Sequence, residues 1–219
     1  MSLTEGIHQR YVAPRRVRVL TRHLAELIRP NASVLDVGCG DGRLAAQLAR
    51  ARPDLSIEGV DRLVRPATAI TVRPYDGDRL PYAAHSVDVI LLLDTLHHTP
   101  DPFVLLTEAV RVARTSLIIK DHLCDTWLAR PILRWMDRIG NARHGVALPY
   151  TYWTTRQWRE ALAALGTTIR LWRTELGLYP WPTRWLCERS LHVLAQVTVP
   201  PSRASNASGA SDGGEASVR

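Results

Sequence analysis

The sequence predicts an α/β fold: a mostly parallel sheet with helices on both faces. Two observations carry this. Between residues 31 and 120, short apolar runs alternate with segments of helical periodicity, the order that builds right-handed strand–helix–strand crossovers. The runs are also close to continuously apolar, as parallel strands covered on both sides are.

The elements follow in order. Residues 1–30 are basic, and Arg15 to Ile28 is amphipathic, with Val17, Leu20, Leu24 and Leu27 at helical spacing on one face. Strands are expected at Ser33–Val37, Ser56–Val60, Ile70–Val72, Val87–Leu93 and Ser116–Ile119, with helices at Leu44–Arg50 and Phe103–Val112. Trp127–Ile139 reads as a helix, and Gly140–Tyr152 as a polar, aromatic loop. Thr154 or Thr155 is placed to cap a helix through Leu165, which Gly166 ends. Strands near Thr168–Arg173 and Leu191–Val199 complete a sheet of seven. The domain organisation expected is a basic N-terminal helix over residues 1–30, one domain over 31–199, and a Ser/Ala/Gly-rich disordered tail over 200–219.

Composition bounds the function. With 219 residues, 46% hydrophobic and 22% charged, the chain suits one domain with a sizeable core. Its longest apolar stretch, Val89–Leu93, is far short of the roughly 20 residues a membrane span demands. Charges occupy the N-terminal positions where a signal peptide has its apolar region, so a cytoplasmic location is expected. Cys39, Cys124 and Cys187 form no CxxC, which argues against structural zinc, and no metal site is read from the sequence. The net charge is +7. Lys120 is the only lysine, and the arginine skew reads as coding bias rather than as an arginine surface.

The segment Val34-Leu35-Asp36-Val37-Gly38-Cys39-Gly40-Asp41-Gly42 carries the most information. A buried strand runs into three glycines at alternate positions, and a helix follows. Glycine lets the loop turn sharply and lets a ligand approach the backbone, while the free amides of the next helix favour negative charge. The second strand ends in Asp61, placed to accept both hydroxyls of a ribose. A dinucleotide fingerprint needs a third glycine at position 43, where Arg43 stands. A nucleoside with a smaller polar appendage fits better.

These residues resemble the first motif of the Rossmann-like class I S-adenosylmethionine-dependent methyltransferases, of the broad type 11 group that includes quinone-pathway C-methyltransferases. Tyr75–Tyr82, Ser86–Ile90 with the following Leu96-His97-His98, and Leu117–Asp121 resemble that family's later motifs. The resemblance covers about residues 30–175 and implies S-adenosylmethionine as cofactor and an antiparallel last strand. It places Gly38 and Gly40 against the cofactor, Asp36 near its ammonium, Asp61 on the ribose and Asp76 with Gly77 at the adenine edge. Leu93 and Asp94 fall close to the reactive methyl. Asp78, two residues from Asp76, competes for the adenine role.

Methyl transfer from a sulfonium is a direct displacement that needs alignment, exclusion of water and, for some acceptors, a base. His97 and His98 after the fourth strand, and Asp121 and His122 after the fifth, lie at the rim where an open α/β sheet places ligands. His97, His98 and His122 are the candidate bases. Residues 121–153 read as a substrate lid, with Asp121, His144 and Tyr150 as acceptor contacts. The motifs of exocyclic-amine and cytosine-C5 methylation are both missing. The aromatic content of the lid points to a small, hydrophobic or aromatic acceptor. Nucleic acid is disfavoured, the arginines of residues 10–22 being its only candidate surface. A non-catalytic S-adenosylmethionine-binding protein is the remaining alternative.

Overall fold

The computed structural model describes residues 11–141, 149–181, 183–188 and 190–201. The chain enters through α1 (Ala13–Leu27), then runs β1 (Ser33–Val37), α2 (Arg43–Ala51), β2 (Ser56–Asp61), β3 (Val72–Pro74) and β4 (Val87–Leu93). A short 3-10 turn (Leu96–His98) precedes α3 (Pro102–Val112) and β5 (Ala113–His122). The second half adds α4 (Ala129–Asn141), α5 (Thr155–Ala164), β6 (Thr168–Arg173), α6 (Thr183–Cys187) and β7 (His192–Thr198). The strands form one seven-stranded sheet in the order β3-β2-β1-β4-β5-β7-β6. Strands β1 to β5 pair in parallel, and β7 is antiparallel to both its neighbours.

Alternation along β4 divides the interior in two. Ile90 and Leu92 join Leu105, Leu106 and Ala109 of α3 and Trp158 and Leu162 of α5 on one face. Val89 and Leu91 join Leu20 and Leu24 of α1 and Leu48 of α2 on the other. Each layer removes enough apolar surface from water to hold its helices at about 25 cal/mol per Å² buried. The face α1 buries is Leu20, Thr21 and Leu24, as its spacing implies, with Val17 and Leu27 half-buried beside them.

Helix ends follow local chemistry. Asp101 caps α3, its side chain accepting from the Phe103 amide, and Pro102 starts the helix, where no amide is needed. Thr154, rather than Thr155, caps α5, in a reciprocal pair with Gln157. Gly166 follows α5 with φ +67°, a left-handed turn that suits glycine.

The structure corrects two boundaries. The third strand is Val72–Pro74, not Ile70–Val72, because its pairing with β2 begins at Gly59↔Val72. The fifth runs from Ala113 to His122, well past its apolar centre. Asp121 and His122 therefore do not follow β5 but end it, opposite Val193 and His192 of β7. Of the expected lid, residues 129–141 form α4, which buries Ala129 and Leu133. Residues 142–148 of the lid, residues 1–10, and 202–219 of the expected tail lie outside the described residues.

Candidate active site

The carboxyl ends of β1, β2, β4 and β5 meet along one edge of the sheet. At the end of β1, Gly38, Gly40 and Gly42 have φ of +74°, +60° and +71°. A Cβ on Gly38 would stand 2.5 Å from the Thr95 side chain, so glycine is required there on both counts. Thr95 itself donates to the Val37 carbonyl at 2.8 Å and ties the end of β4 to this bend. The bend is anchored to β2 by the Gly38 amide, 2.8 Å from the Val60 carbonyl.

Asp61 sits against the bend. Its Oδ2 accepts from the Gly40 amide at 2.8 Å and its Oδ1 from the Leu63 amide at 2.9 Å. A carboxylate has about four acceptor positions, so each oxygen retains one for a ligand hydroxyl. Asp36 lies buried beneath, and among the described residues no hydrogen bond reaches its side chain. Burial, then the charge of Asp61, pushes its carboxyl up to about 7. Asp76 is differently placed: exposed, its Oδ1 accepts from the Asp78 and Arg79 amides at 2.9 and 2.7 Å, the turn chemistry of an aspartate. Gly77 follows with φ +104°, close against Arg62.

At the end of β4, Leu93 is half-buried and packs with the α1–α2 layer. Asp94 has φ +56° and receives Lys120 Nζ and, at 2.8 Å, Arg16 of α1. Lys120 is fully buried. Burial opposes the charge of Asp94, but Lys120 and then Arg16 overcome it and hold the carboxyl well below its usual range.

The turn after β4 and the end of β5 build a second buried cluster. His97 Nδ1 lies 2.5 Å from Asp121 Oδ1, and Asp121 also accepts from the Leu96 and His122 amides at 3.1 and 2.7 Å. Burial works against a charge on His97, yet Asp121 raises its pKa above the usual value. His122 Nε2 is 3.3 Å from Asp137 Oδ1 on α4, and Tyr152 donates to Asp137 Oδ2. Burial and the neighbouring His97 lower the His122 pKa. His98 is brought down to about 4 by burial and His97, and its buried Nδ1 has no hydrogen-bond partner among the described residues.

The structure thus gathers Asp36, Gly38, Gly40 and Asp61 at one bend, and Asp94, His97, His98, Asp121 and His122 at the adjoining strand ends. Tyr150, half-buried, lies under the Arg134 guanidinium, which is 4.8 Å from its ring centre. His144 lies outside the described residues. Sequence reasoning missed Arg16, Asp137, Tyr152 and His192, and gave Lys120 no role. Two of these left a signal: Lys120 is the sole lysine and abuts an apolar run, and Asp137 falls four residues after Leu133 on the inward face of its helix. No metal was expected. Even so, Asp94, His97 and His122 each offer a donor atom, all within 4.8 Å of one another.

Comparison with known proteins gives a consistent result. Residues 8–171 match the family described as a methyltransferase domain. The chain is 32% identical over 110 residues to 27-O-demethylrifamycin SV methyltransferase of Amycolatopsis mediterranei strain S699, an alignment covering 43% of this chain and 40% of that protein. It is 43% identical over 72 residues to ribosomal RNA small subunit methyltransferase G of Renibacterium salmoninarum, covering 30% of this chain and 34% of that one. The chain therefore spans less than half the length of these curated relatives. Among solved structures, a SAM-dependent methyltransferase from Aquifex aeolicus superposes with a TM-score of 0.59 at 16% identity, over 90% of this chain and 98% of its own. That likeness is one of fold.

Proposed function

The chain belongs to the methyltransferase-domain family, and from that premise we propose that it moves a methyl group from S-adenosylmethionine to a small, hydrophobic or aromatic acceptor. The observation that carries the reading is the pairing of a side-chain-free bend with Asp61, whose carboxylate is aimed by the Gly40 and Leu63 amides. The residues present fit the cofactor. Gly38 and Gly40 leave backbone open to it, Asp61 takes its ribose hydroxyls, and the buried Asp36 answers its positive charge. Asp76 and Gly77 lie at the adenine edge, with the Asp76 oxygen not used in the turn as acceptor.

When bound, S-adenosylmethionine supplies a methyl already activated on a sulfonium. The protein's task is then to align and to exclude water, which contributes up to roughly 7–11 kcal/mol in favourable systems. Leu93 and Asp94 form the floor beside the methyl, and α1 closes over the site through Arg16. His97, His98 and His122 stand where the acceptor's proton must leave, with His97 oriented by Asp121. Tyr150, from the expected lid, contacts the acceptor.

One observation favours a second reading. Arg15, Arg18 and Arg22 of α1 are all exposed, and one relative acts on ribosomal RNA by its name. An RNA substrate makes binding fall steeply with added salt. Incubating the protein with methyl-labelled cofactor, a panel of apolar phenols and alcohols, and total RNA separates the two. Label in the organic extract supports the proposal. Label held on RNA replaces it, and cofactor binding with no labelled product of any kind favours a non-catalytic binding protein.

A further inference from the structure

We propose that the outward face of residues 127–138, the turn into α4 and the helix itself, docks on an anionic lipid surface. The helix has two faces. Ala129, Leu133 and Asp137, four residues apart, turn inward, and Asp137 reaches the candidate site beside His122. Arg130, Arg134 and Arg138, at the same spacing, are all exposed and form one row along the helix. Trp127 and Trp135 are 85% and 50% exposed, and Leu128 is 46% exposed. Large apolar side chains gathered at the surface beside a row of cations mark a contact made with something outside the chain.

Charge selects the occupant. Asp137 is the only acidic residue between 127 and 138, and it is buried. Among the described residues, no carboxylate pairs with Arg130, Arg134 or Arg138, and Arg134 lies over the Tyr150 ring instead. The face is therefore cationic without compensation from its own helix, and it attracts a surface of negative charge. A second copy of the chain, docked face to face in a two-fold dimer, would bring the arginine row against itself, where like charges repel. RNA matches the charge and stacks on indoles, but it offers Leu128 no apolar layer. An anionic bilayer supplies both partners: phosphates for the guanidinium groups, and beneath them a layer in which indole and leucine side chains leave water. Tryptophan suits that boundary, since its ring is apolar and its N–H is not. No described helix is long and apolar enough to cross a membrane, so the contact is that of a helix lying on the surface.

Docking in this way sets the candidate site close to the bilayer, because the helix that carries Asp137 inward is the one that meets the lipid. The consequence for the acceptor rests on the methyl-transfer reading: an apolar acceptor dissolved in the bilayer is delivered along α4 without crossing bulk water. Lipid binding itself does not depend on that reading.

The test is sedimentation of the full chain, free of any affinity tag, with unilamellar vesicles. Wild-type protein should sediment with phosphatidylcholine vesicles that contain phosphatidylglycerol and stay in solution with phosphatidylcholine alone. The triple variant Arg130→Gln, Arg134→Gln, Arg138→Gln and the double variant Trp127→Ser, Trp135→Ser should each weaken binding at least tenfold. A charge-matched triple elsewhere, Arg50→Gln, Arg156→Gln, Arg170→Gln, should stay within about threefold of wild type. Every side chain replaced is exposed, and S-adenosylmethionine affinity within about twofold of wild type checks that the fold survives. Failure to bind the mixed vesicles overturns the proposal, and so does equal binding to phosphatidylcholine alone or an equal loss in the charge-matched triple. A chain that dimerises through Trp127 and Trp135 on size exclusion, without binding vesicles, gives the face to a second copy. Total RNA held through Arg130, Arg134 and Arg138, without vesicle binding, gives it to nucleic acid. Vesicle binding without cofactor binding removes the methyl-transfer reading and leaves the docking surface standing; the reverse result removes the docking surface alone.

Discussion

Lys120 and Asp94 form a buried ion pair across the ends of β4 and β5, and the ammonium is wholly removed from solvent. Desolvating an ammonium is costly, and the Asp94 carboxylate beside it, with Asp121 further off, compensates. Removing Asp94 strands Lys120, and removing Lys120 leaves the Asp94 charge to Arg16 alone. Lys120→Met should therefore lower the free energy of unfolding by about 3 kcal/mol, read from denaturant midpoints. The double variant Lys120→Met with Asp94→Asn should recover part of that loss. If the double variant is no more stable than Lys120→Met, the pair is not what holds these strand ends.

Asp61→Ala should leave the fold intact and weaken S-adenosylmethionine binding at least tenfold by calorimetry. Each charge-assisted hydrogen bond to a ribose hydroxyl contributes about 1.5–3 kcal/mol. Unchanged affinity would place the ribose elsewhere.

Asp36 gives a pH dependence with a definite sign. Its folded pKa, about 7, lies above the ordinary 3.8 because burial disfavours its charge. The folded state then holds the extra proton, so this group's contribution to stability is present below about 4 and is lost as pH rises to about 7. Cofactor binding runs the other way, because a cation favours the ionised carboxylate. Affinity should rise from pH 6 to pH 8, and Asp36→Asn should flatten both curves. An affinity that falls over that range removes Asp36 from the cation's neighbourhood.

The histidines divide binding from turnover. His97→Ala should cut turnover by at least a hundredfold with cofactor affinity within twofold of wild type. His98→Ala should retain more activity, since the side chain of His98 lacks the carboxylate contact that His97 has in Asp121. Equal and full activity in both variants excludes either as the route for the proton.

The sheet and the glycine bend were legible because both are written locally. Apolar runs such as Val87–Leu93 exist only to be buried, and Gly38, Gly40 and Gly42 answer a backbone requirement confined to five residues. Strand ends were not. Lys120, Asp121 and His122 are charged or polar, so hydrophobic pattern stops before them, yet β7 pairs with all three. Whether a polar residue can finish a buried strand depends on its partners. Those of Asp121 and Lys120, namely His97 and Asp94, come from another strand end. The cluster around Asp137 was illegible for the same reason: His97, His122, Asp137 and Tyr152 span more than fifty residues and meet only in the folded chain.

The most direct measurement is a crystal structure of the protein with S-adenosylmethionine or its demethylated product bound. The account predicts an adenosyl group lying over Gly38 and Gly40 with both ribose hydroxyls on Asp61. Density for the nucleoside elsewhere, with Asp61 still bonded only to the Gly40 and Leu63 amides, would contradict it.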